Sequence, residues 1–159
     1  MRTGHFSTPS QERYLEDYVT GAVHEFGPIG ISEAQIVEFG RQFDPQLFHT
    51  DPEGARQTVY GGLIASGWHT CSLFMRLFVE QYLPVQASLG SPGVDELRWL
   101  KPVRPGDALT LRVTVHKVKP SRSKPDRGVL FSFCEMLNQA DDVVATMMAM
   151  NLIRYRDRG

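Results

Sequence analysis

Between Gly61 and Met75 the chain, 159 residues long, contains no charged residue. The stretch from Gly62 to about Leu83 reads as its longest helix. Leu63, Ile64, Ala65, Trp68, Cys71, Leu73, Phe74 and Met75 cover nearly every direction around a helical axis, and a helix that is apolar all round is buried all round. After Arg76 the pattern relaxes, Glu80 and Gln81 mark a more exposed end, and Pro84 helps to end it. The uncharged run is shorter than the ~18 apolar residues that suggest a membrane span. It also carries Ser66, His69, Thr70 and Ser72. The rest of the chain must therefore supply cover on all sides of this helix.

The chain beyond this helix reads as β. In DALTLRVTV (107–115), Leu109, Leu111, Val113 and Val115 alternate with Thr110, Arg112 and Thr114, the period of a half-buried strand. Val129, Phe131 and Phe133 begin a similar alternation, and VVATMMAMNLI (143–153) is apolar on both faces, as a central strand would be. DELRWL (95–100) leads into KPVRPGD, whose Pro105-Gly106 pair suits a tight turn. KPSRSKPDRG (119–128) reads as a polar hairpin loop. Ahead of the helix, residues 1–15 form a polar arm without periodicity, and YVTGAVHEFGP (18–28) reads as a strand. ISEAQIVEFGRQF comes next, as a helix. Ser32 and Gln35 make a capping-box pattern, Ile31 and Ile36 a hydrophobic staple, and Ile36, Phe39 and Phe43 recur at helical spacing. Pro45 disfavours helix at Asp44 and should stop it there.

A helix buried on all sides, with antiparallel strands after it, is satisfied when the sheet curls around it. The expectation is an α+β hot-dog fold, an antiparallel β-sheet wrapped around one long central helix. With no repeat and no linker, a single domain spans 1–159. Such a half-barrel leaves an edge strand that must be paired or covered, which predicts a homodimer joined through the sheets, or a higher oligomer.

Seventeen basic against eighteen acidic residues give a net charge of −1, no footprint for nucleic acid or for an anionic membrane. The two cysteines, Cys71 and Cys134, form no CxxC pair and read as free thiols of a reducing compartment. The N-terminal MRTGHFSTPSQERYLEDY lacks the apolar core of a secretory signal. The expected location is cytoplasmic.

FDPQLFHTDP (43–52) places Asp44 and His49 in an apolar, proline-punctuated stretch just ahead of the buried helix. In one reading Asp44 caps a chain reversal and His49 is a half-buried loop residue. In the other the two act together. Partial burial makes an uncompensated carboxylate costly, and both groups precede a helix whose first N–H groups are unpaired. A carboxylate and an imidazole in a dry pocket can hold a water and move its proton without a metal. A metal centre built from Asp44, His49 and Asp51 is the rival chemistry, but no second histidine stands at a ligand spacing in this region.

GGLIASG matches no phosphate-binding pattern. Gly61 and Gly62 let the backbone turn into the helix, while Gly67, one turn in, would let a ligand approach and its amide donate to an oxyanion. Trp68 and His69 read as core residues without a role and Cys71 as a small buried hydrophobe. A Cys71–His69 nucleophile pair is disfavoured because side chains two apart on a helix do not face each other. Arg122, Lys124 and Arg127 are either a solvated loop or a docking patch for a phosphate-bearing ligand.

FDPQLFHTDPEGA, GGLIASGWHT, WLKPVRPGD and PSRSKPDRG resemble the MaoC-like dehydratases, which include the (R)-specific enoyl-CoA hydratases. The likeness runs over roughly 18–155. It implies a homodimer with its pocket between subunits, Asp44 and His49 as catalytic pair, and the Gly67 amide on the thioester oxygen. Gly62, Ser66, Arg122 and Lys124 would contact substrate. The implied reaction is reversible hydration of a trans-2-enoyl thioester, usually on coenzyme A or else on a carrier protein, with no metal and no further cofactor. Ser66 stands where many enoyl-CoA hydratases of the family have histidine, and Met75 where some have serine. A hot-dog thioesterase and a non-catalytic acyl-binding subunit are the alternatives.

Overall fold

The computed structural model describes residues 4–157. The first three residues of the N-terminal arm and the last two of the expected domain 1–159 lie outside the described residues. The elements run β1 (Val23–Gly30), α1 (Glu33–Phe43), two single-turn helices α2 (Leu47–Thr50) and α3 (Pro52–Ala55), α4 (Gly67–Leu77), β2 (Gly93–Trp99), β3 (Ala108–Pro120), β4 (Arg127–Leu137) and β5 (Val143–Arg154). The five strands form one antiparallel sheet in the order β1-β3-β4-β5-β2. It is the hot-dog arrangement. Leu109, Leu111, Val113 and Val115 of β3 and Val144, Met147 and Ile153 of β5 are buried in one core with Phe74, Leu77 and Phe78 of the central helix.

On β4 the buried side chains are Leu130, Ser132, Cys134 and Met136, so Val129, Phe131 and Phe133 alternate on the opposite, half-covered face. The sequence period was legible there, but the bulkier residues do not face the core. The polar Ser132 is admitted because its hydroxyl lies 2.7 Å from Tyr82 Oη in a buried hydrogen bond. Strand β5 is interior, between β4 and β2. β2 is an edge strand, exposed along almost its whole length and bulged between Asp95 and Arg98. The other edge, β1, starts later than its sequence pattern suggests. Its register breaks between Phe26 and Ile29, where Pro28 lacks the N–H a ladder needs.

The polar N-terminal arm packs against the rest of the chain. The Gly4 N–H donates to the Val23 carbonyl of β1, Phe6 stacks on His24 with centroids 4.0 Å apart, and the Arg13 guanidinium is buried over the Phe6 ring. Arg13 donates to the carbonyls of Gln81 and Tyr82, closing the end of the central helix. That helix is shorter than the expected Gly62–Leu83. Ser66 is its N-cap, and beyond Leu77 it winds into a π-helical turn, Phe78–Tyr82, closed by the Leu83 N–H on the Phe78 carbonyl. Gly67 is therefore its first residue, not one turn in. Nor is it covered all round in one chain. Trp68, Met75 and Val79 lie exposed along one side. No helix among the described residues is long and apolar enough to cross a membrane.

Candidate functional site

Ser32 caps α1 as its sequence predicts, accepting from the Gln35 N–H while Gln35 Oε1 accepts from the Ser32 N–H. The helix ends at Phe43, with Asp44 as C-cap and its N–H on the Gly40 carbonyl. Gly40 then allows the returning chain to pass close. A Cβ there would lie 2.6 Å from the His49 carbonyl oxygen. This contact folds FDPQLFH back on α1 and brings the two functional side chains together, His49 Nε2 lying 3.2 Å from Asp44 Oδ2.

Each group is held from behind. The Ser66 hydroxyl donates to Asp44 Oδ2 at 2.8 Å and Gln46 Nε2 donates to Oδ1 at 2.8 Å. Burial alone would raise the Asp44 carboxyl. The hydrogen bonds from Gln46 and Ser66 and the neighbouring His49 outweigh it and hold the carboxyl below its ordinary value. His49 is buried, with Nδ1 2.7 Å from the Ile64 carbonyl oxygen. A carbonyl only accepts, so Nδ1 carries the hydrogen, and in the neutral ring Nε2 is the free base facing Asp44. Two acceptors at 3.2 Å need a proton between them, or a water that donates to both.

The pair opens into a cavity of about 430 Å³ that is also lined by Phe48, Tyr60, Gly67, Trp68 and Trp99. Gly67, at the first position of α4, is one of the residues whose N–H has no partner within the helix. Among the described residues no hydrogen bond uses its N–H, while its carbonyl accepts from Trp99 Nε1 at 3.0 Å. The site thus combines a carboxylate, an imidazole base and a free backbone donor in one aromatic-walled cavity. These are the parts needed to activate a water next to a carbonyl group.

Other expected site residues are placed differently. Gly62 is tied by its carbonyl to Arg104 Nη1 at 3.3 Å and does not line the cavity. Ser66 is buried, its hydroxyl committed to Asp44 and to the helix cap. Arg122 and Lys124 sit in the β3–β4 hairpin. Arg122 borders a separate depression beside Pro92, Val129, Phe131 and Met150, so the structure does not bring these two cations to Asp44. Asp51 caps α3, accepting from the Glu53 and Gly54 N–H groups. Among the described residues no three His, Cys, Asp or Glu side chains are grouped to hold a metal ion.

Trp68 is not a core tryptophan but a half-open wall of the cavity. His69 is buried, but among the described residues its Nδ1 has no hydrogen-bond partner, so it is not the satisfied core histidine expected. Cys71 is half-buried and both thiols are free. Sequence reasoning missed Gln46, Trp99 and Arg104. Gln46 stands inside FDPQLFH and could have been found as a donor within reach of Asp44. Trp99 and Arg104 reach Gly67 and the Tyr60–Gly62 backbone across more than thirty residues of chain, which no local pattern encodes.

Residues 17–129 match the family model described as MaoC like domain. The chain is 40% identical to the MaoC-like dehydratase from Rhodospirillum rubrum, whose crystal structure superposes with a TM-score of 0.85 over 91% of this chain and 99% of that one. It is 28% identical to the uncharacterized protein YdeM of Bacillus subtilis over 127 residues, 80% of this chain and 89% of that protein. The (R)-hydratase from A. caviae involved in PHA biosynthesis shares the fold with a TM-score of 0.69 at 23% identity, over 86% of this chain and 97% of that one.

Proposed function

The chain belongs to the MaoC-like dehydratase family, and from that premise we propose that it is a hydro-lyase interconverting a trans-2-enoyl thioester and the (R)-3-hydroxyacyl thioester. The observation that carries the reading is the 3.2 Å approach of His49 Nε2 to Asp44 Oδ2 with Nδ1 already committed to Ile64. A water donating to both acceptors is held and deprotonated in one place. As its oxygen bonds to C3 of the substrate, the C2–C3 double bond electrons move towards the thioester. The Gly67 N–H stabilises the charge on the carbonyl oxygen. The proton taken from water returns to C2 from the Asp44–His49 pair, so the elements of one water are added and no other reactant is consumed. Dehydration is the same path reversed.

Ser66 and Gln46 act by holding the carboxylate. Arg122 and Lys124 enter only as contacts for the phosphate-bearing end of coenzyme A or a carrier protein, since neither lines the cavity. No metal or further cofactor takes part. The exposed edge of β2 supports a homodimer joined along that edge.

The test is hydration of crotonyl-CoA, monitored by loss of the conjugated thioester and by the configuration of the product, with and without exhaustive chelation. We expect (R)-3-hydroxybutyryl-CoA in both. Loss of turnover on chelation with recovery on adding zinc or manganese would return Asp44, His49 and Asp51 to the rival role of ligands. Release of free coenzyme A would mark a thioesterase, and binding without turnover an acyl-binding subunit. A fully active monomer by light scattering at micromolar concentration would remove the dimer.

A further inference from the structure

On the side of Gly67 where a side chain would stand, Trp99 fills the space, while among the described residues the Gly67 N–H stays free. Trp99, at the end of β2, lies across the first turn of α4, and a Cβ on Gly67 would fall 2.6 Å from its Cδ2 and Nε1. Its Nε1–H on the Gly67 carbonyl fixes the ring in place. The ring meets Trp68 edge to face, with centroids 5.3 Å apart. Trp99 and Trp68 both line the cavity that holds Asp44 and His49.

Trp68 has a second side. It also lines an apolar depression of about 460 Å³ with Phe39, Phe43, Cys71, Ser72 and Met75. The indole therefore stands between two spaces of similar size, one bearing the reactive pair and one bearing only chain-like surroundings. The space on the Asp44 side, about 430 Å³, lies towards the small end of ligand pockets, which run roughly 300–1,000 Å³. It must hold the thioester, the double bond and a water before any remaining acyl chain. Val103 and Val144, both buried in the core, also line it, and of its lining residues Trp68 is the one that also borders the second space.

Resting on the hydratase reading, we propose that Trp68 and Trp99 form a specificity-determining partition that confines the acyl group to the Asp44 side and makes short-chain 2-enoyl thioesters the substrate class. Trp68 provides the wall. Trp99, hydrogen-bonded and packed against Gly67, keeps that wall from turning aside.

The test compares kcat/KM for crotonyl-CoA and trans-2-decenoyl-CoA in the full-length protein, in Trp68→Ala and in Trp99→Ala. The wild type should favour crotonyl-CoA. Since a methylene accommodated or refused by an apolar pocket changes discrimination about 10- to 200-fold, Trp68→Ala should shift the ratio towards decenoyl-CoA by about 100-fold, and Trp99→Ala in the same direction by less. Trp68→Phe and Trp99→Phe serve if the alanine variants fail to fold, and should give smaller shifts of the same sign. A wild type that turns over decenoyl-CoA as well as crotonyl-CoA overturns the proposal, as do variants that fold and keep the wild-type ratio.

If the wild type hydrates neither thioester, the hydratase reading fails and the partition is judged by binding alone. The chain has two tryptophans and both line the cavity, so their emission reports occupancy by butyryl-CoA and decanoyl-CoA. The same shift in the Kd ratio upholds the partition, and an unchanged ratio overturns it.

Discussion

At the C-terminal end of the central helix, Arg13 donates to the carbonyls of Thr8, Gln81 and Tyr82, Tyr18 Oη donates to Tyr82 O at 2.6 Å, and Tyr82 Oη meets Ser132 Oγ. Each of these buried groups has its partner. At the N-terminal end of the same helix, among the described residues, the Gly67 N–H is unused and His69 Nδ1 has no partner, while Asp44 faces His49 across 3.2 Å. Both ends belong to the same helix. The first end has its hydrogen bonds completed within the chain and is stable. The second leaves such groups open, at a cost in stability that buried polar groups ordinarily avoid.

The contrast is broken most strongly by removing the reactive pair. Asp44→Asn and His49→Gln should each lower enoyl-thioester hydration by about 10²–10⁴-fold, the usual contribution of an acid–base group. The double variant should be little worse than the worse single, since the two act as a unit. Thermal midpoints should hardly move. Collapse of the fold with near-normal turnover per folded molecule would instead make Asp44 only a cap.

Arg13→Met tests the opposite end. It leaves the Gln81 and Tyr82 carbonyls without their charged donor and should cost about 1–3 kcal/mol of stability, read by denaturant unfolding. Turnover by the folded fraction should be unchanged. An activity loss without a stability loss would show that the two ends are not separable.

Ser66→Ala sharpens the comparison because Ser66 serves both purposes. Loss of the cap should cost about 1 kcal/mol, and loss of the hydrogen bond to Asp44 should let the carboxyl rise towards its ordinary value. The acid limb of kcat/KM should then move to higher pH. The matching stability term has the same sign. A carboxyl held low in the folded state adds stability above its ordinary value, lost as pH falls through the lowered one. Ser66→Ala should shrink that term. An acid limb that stays in place would remove Ser66 from the support of Asp44.

The smallest effect expected is a pH dependence of stability from two histidines outside the pair. Burial pushes His24 and His69 below the ordinary imidazole value of 6.5. At His24 this is partly offset by the Gly4 carbonyl, and the charges of Arg13 and His5 add to the lowering. Below that value the unfolded chain binds protons the folded one refuses, so stability should fall as pH drops from about 6.5 towards the folded values. His69→Phe should flatten part of this slope in thermal melts, and an unchanged slope would count against it.

Local patterns in the chain were enough for α1 and its cap, for the buried face of β3 and for the interior position of β5. Each depends on residues close in sequence, with a period of about 2 or 3.6. The Asp44–His49 pair was legible for the same reason, lying within one turn-rich segment. The start of the central helix was not, because Leu63, Ile64 and Ala65 are buried by tertiary packing without being helical. The packing of the arm was not legible because its anchoring residues, Phe6 and Arg13, find their partners at His24 and Tyr82. The aromatic wall escaped notice for a related reason, since Trp99 belongs to the site only once β2 has paired with β5.

The two edges of the sheet also differ, and this has a consequence for assembly. At β1 the Gly4 N–H already occupies the Val23 carbonyl, and Pro28 interrupts the strand. At β2 the outer side stays exposed, with Val94 and Trp99 upon it. Pairing β2 with β2 through a two-fold axis uses the open edge of both copies at once and leaves only β1 edges outside. If two copies pair in this way, growth past two chains would have to use the β1 edge, where the Gly4 contact and Pro28 interrupt the ladder that a growing fibre needs.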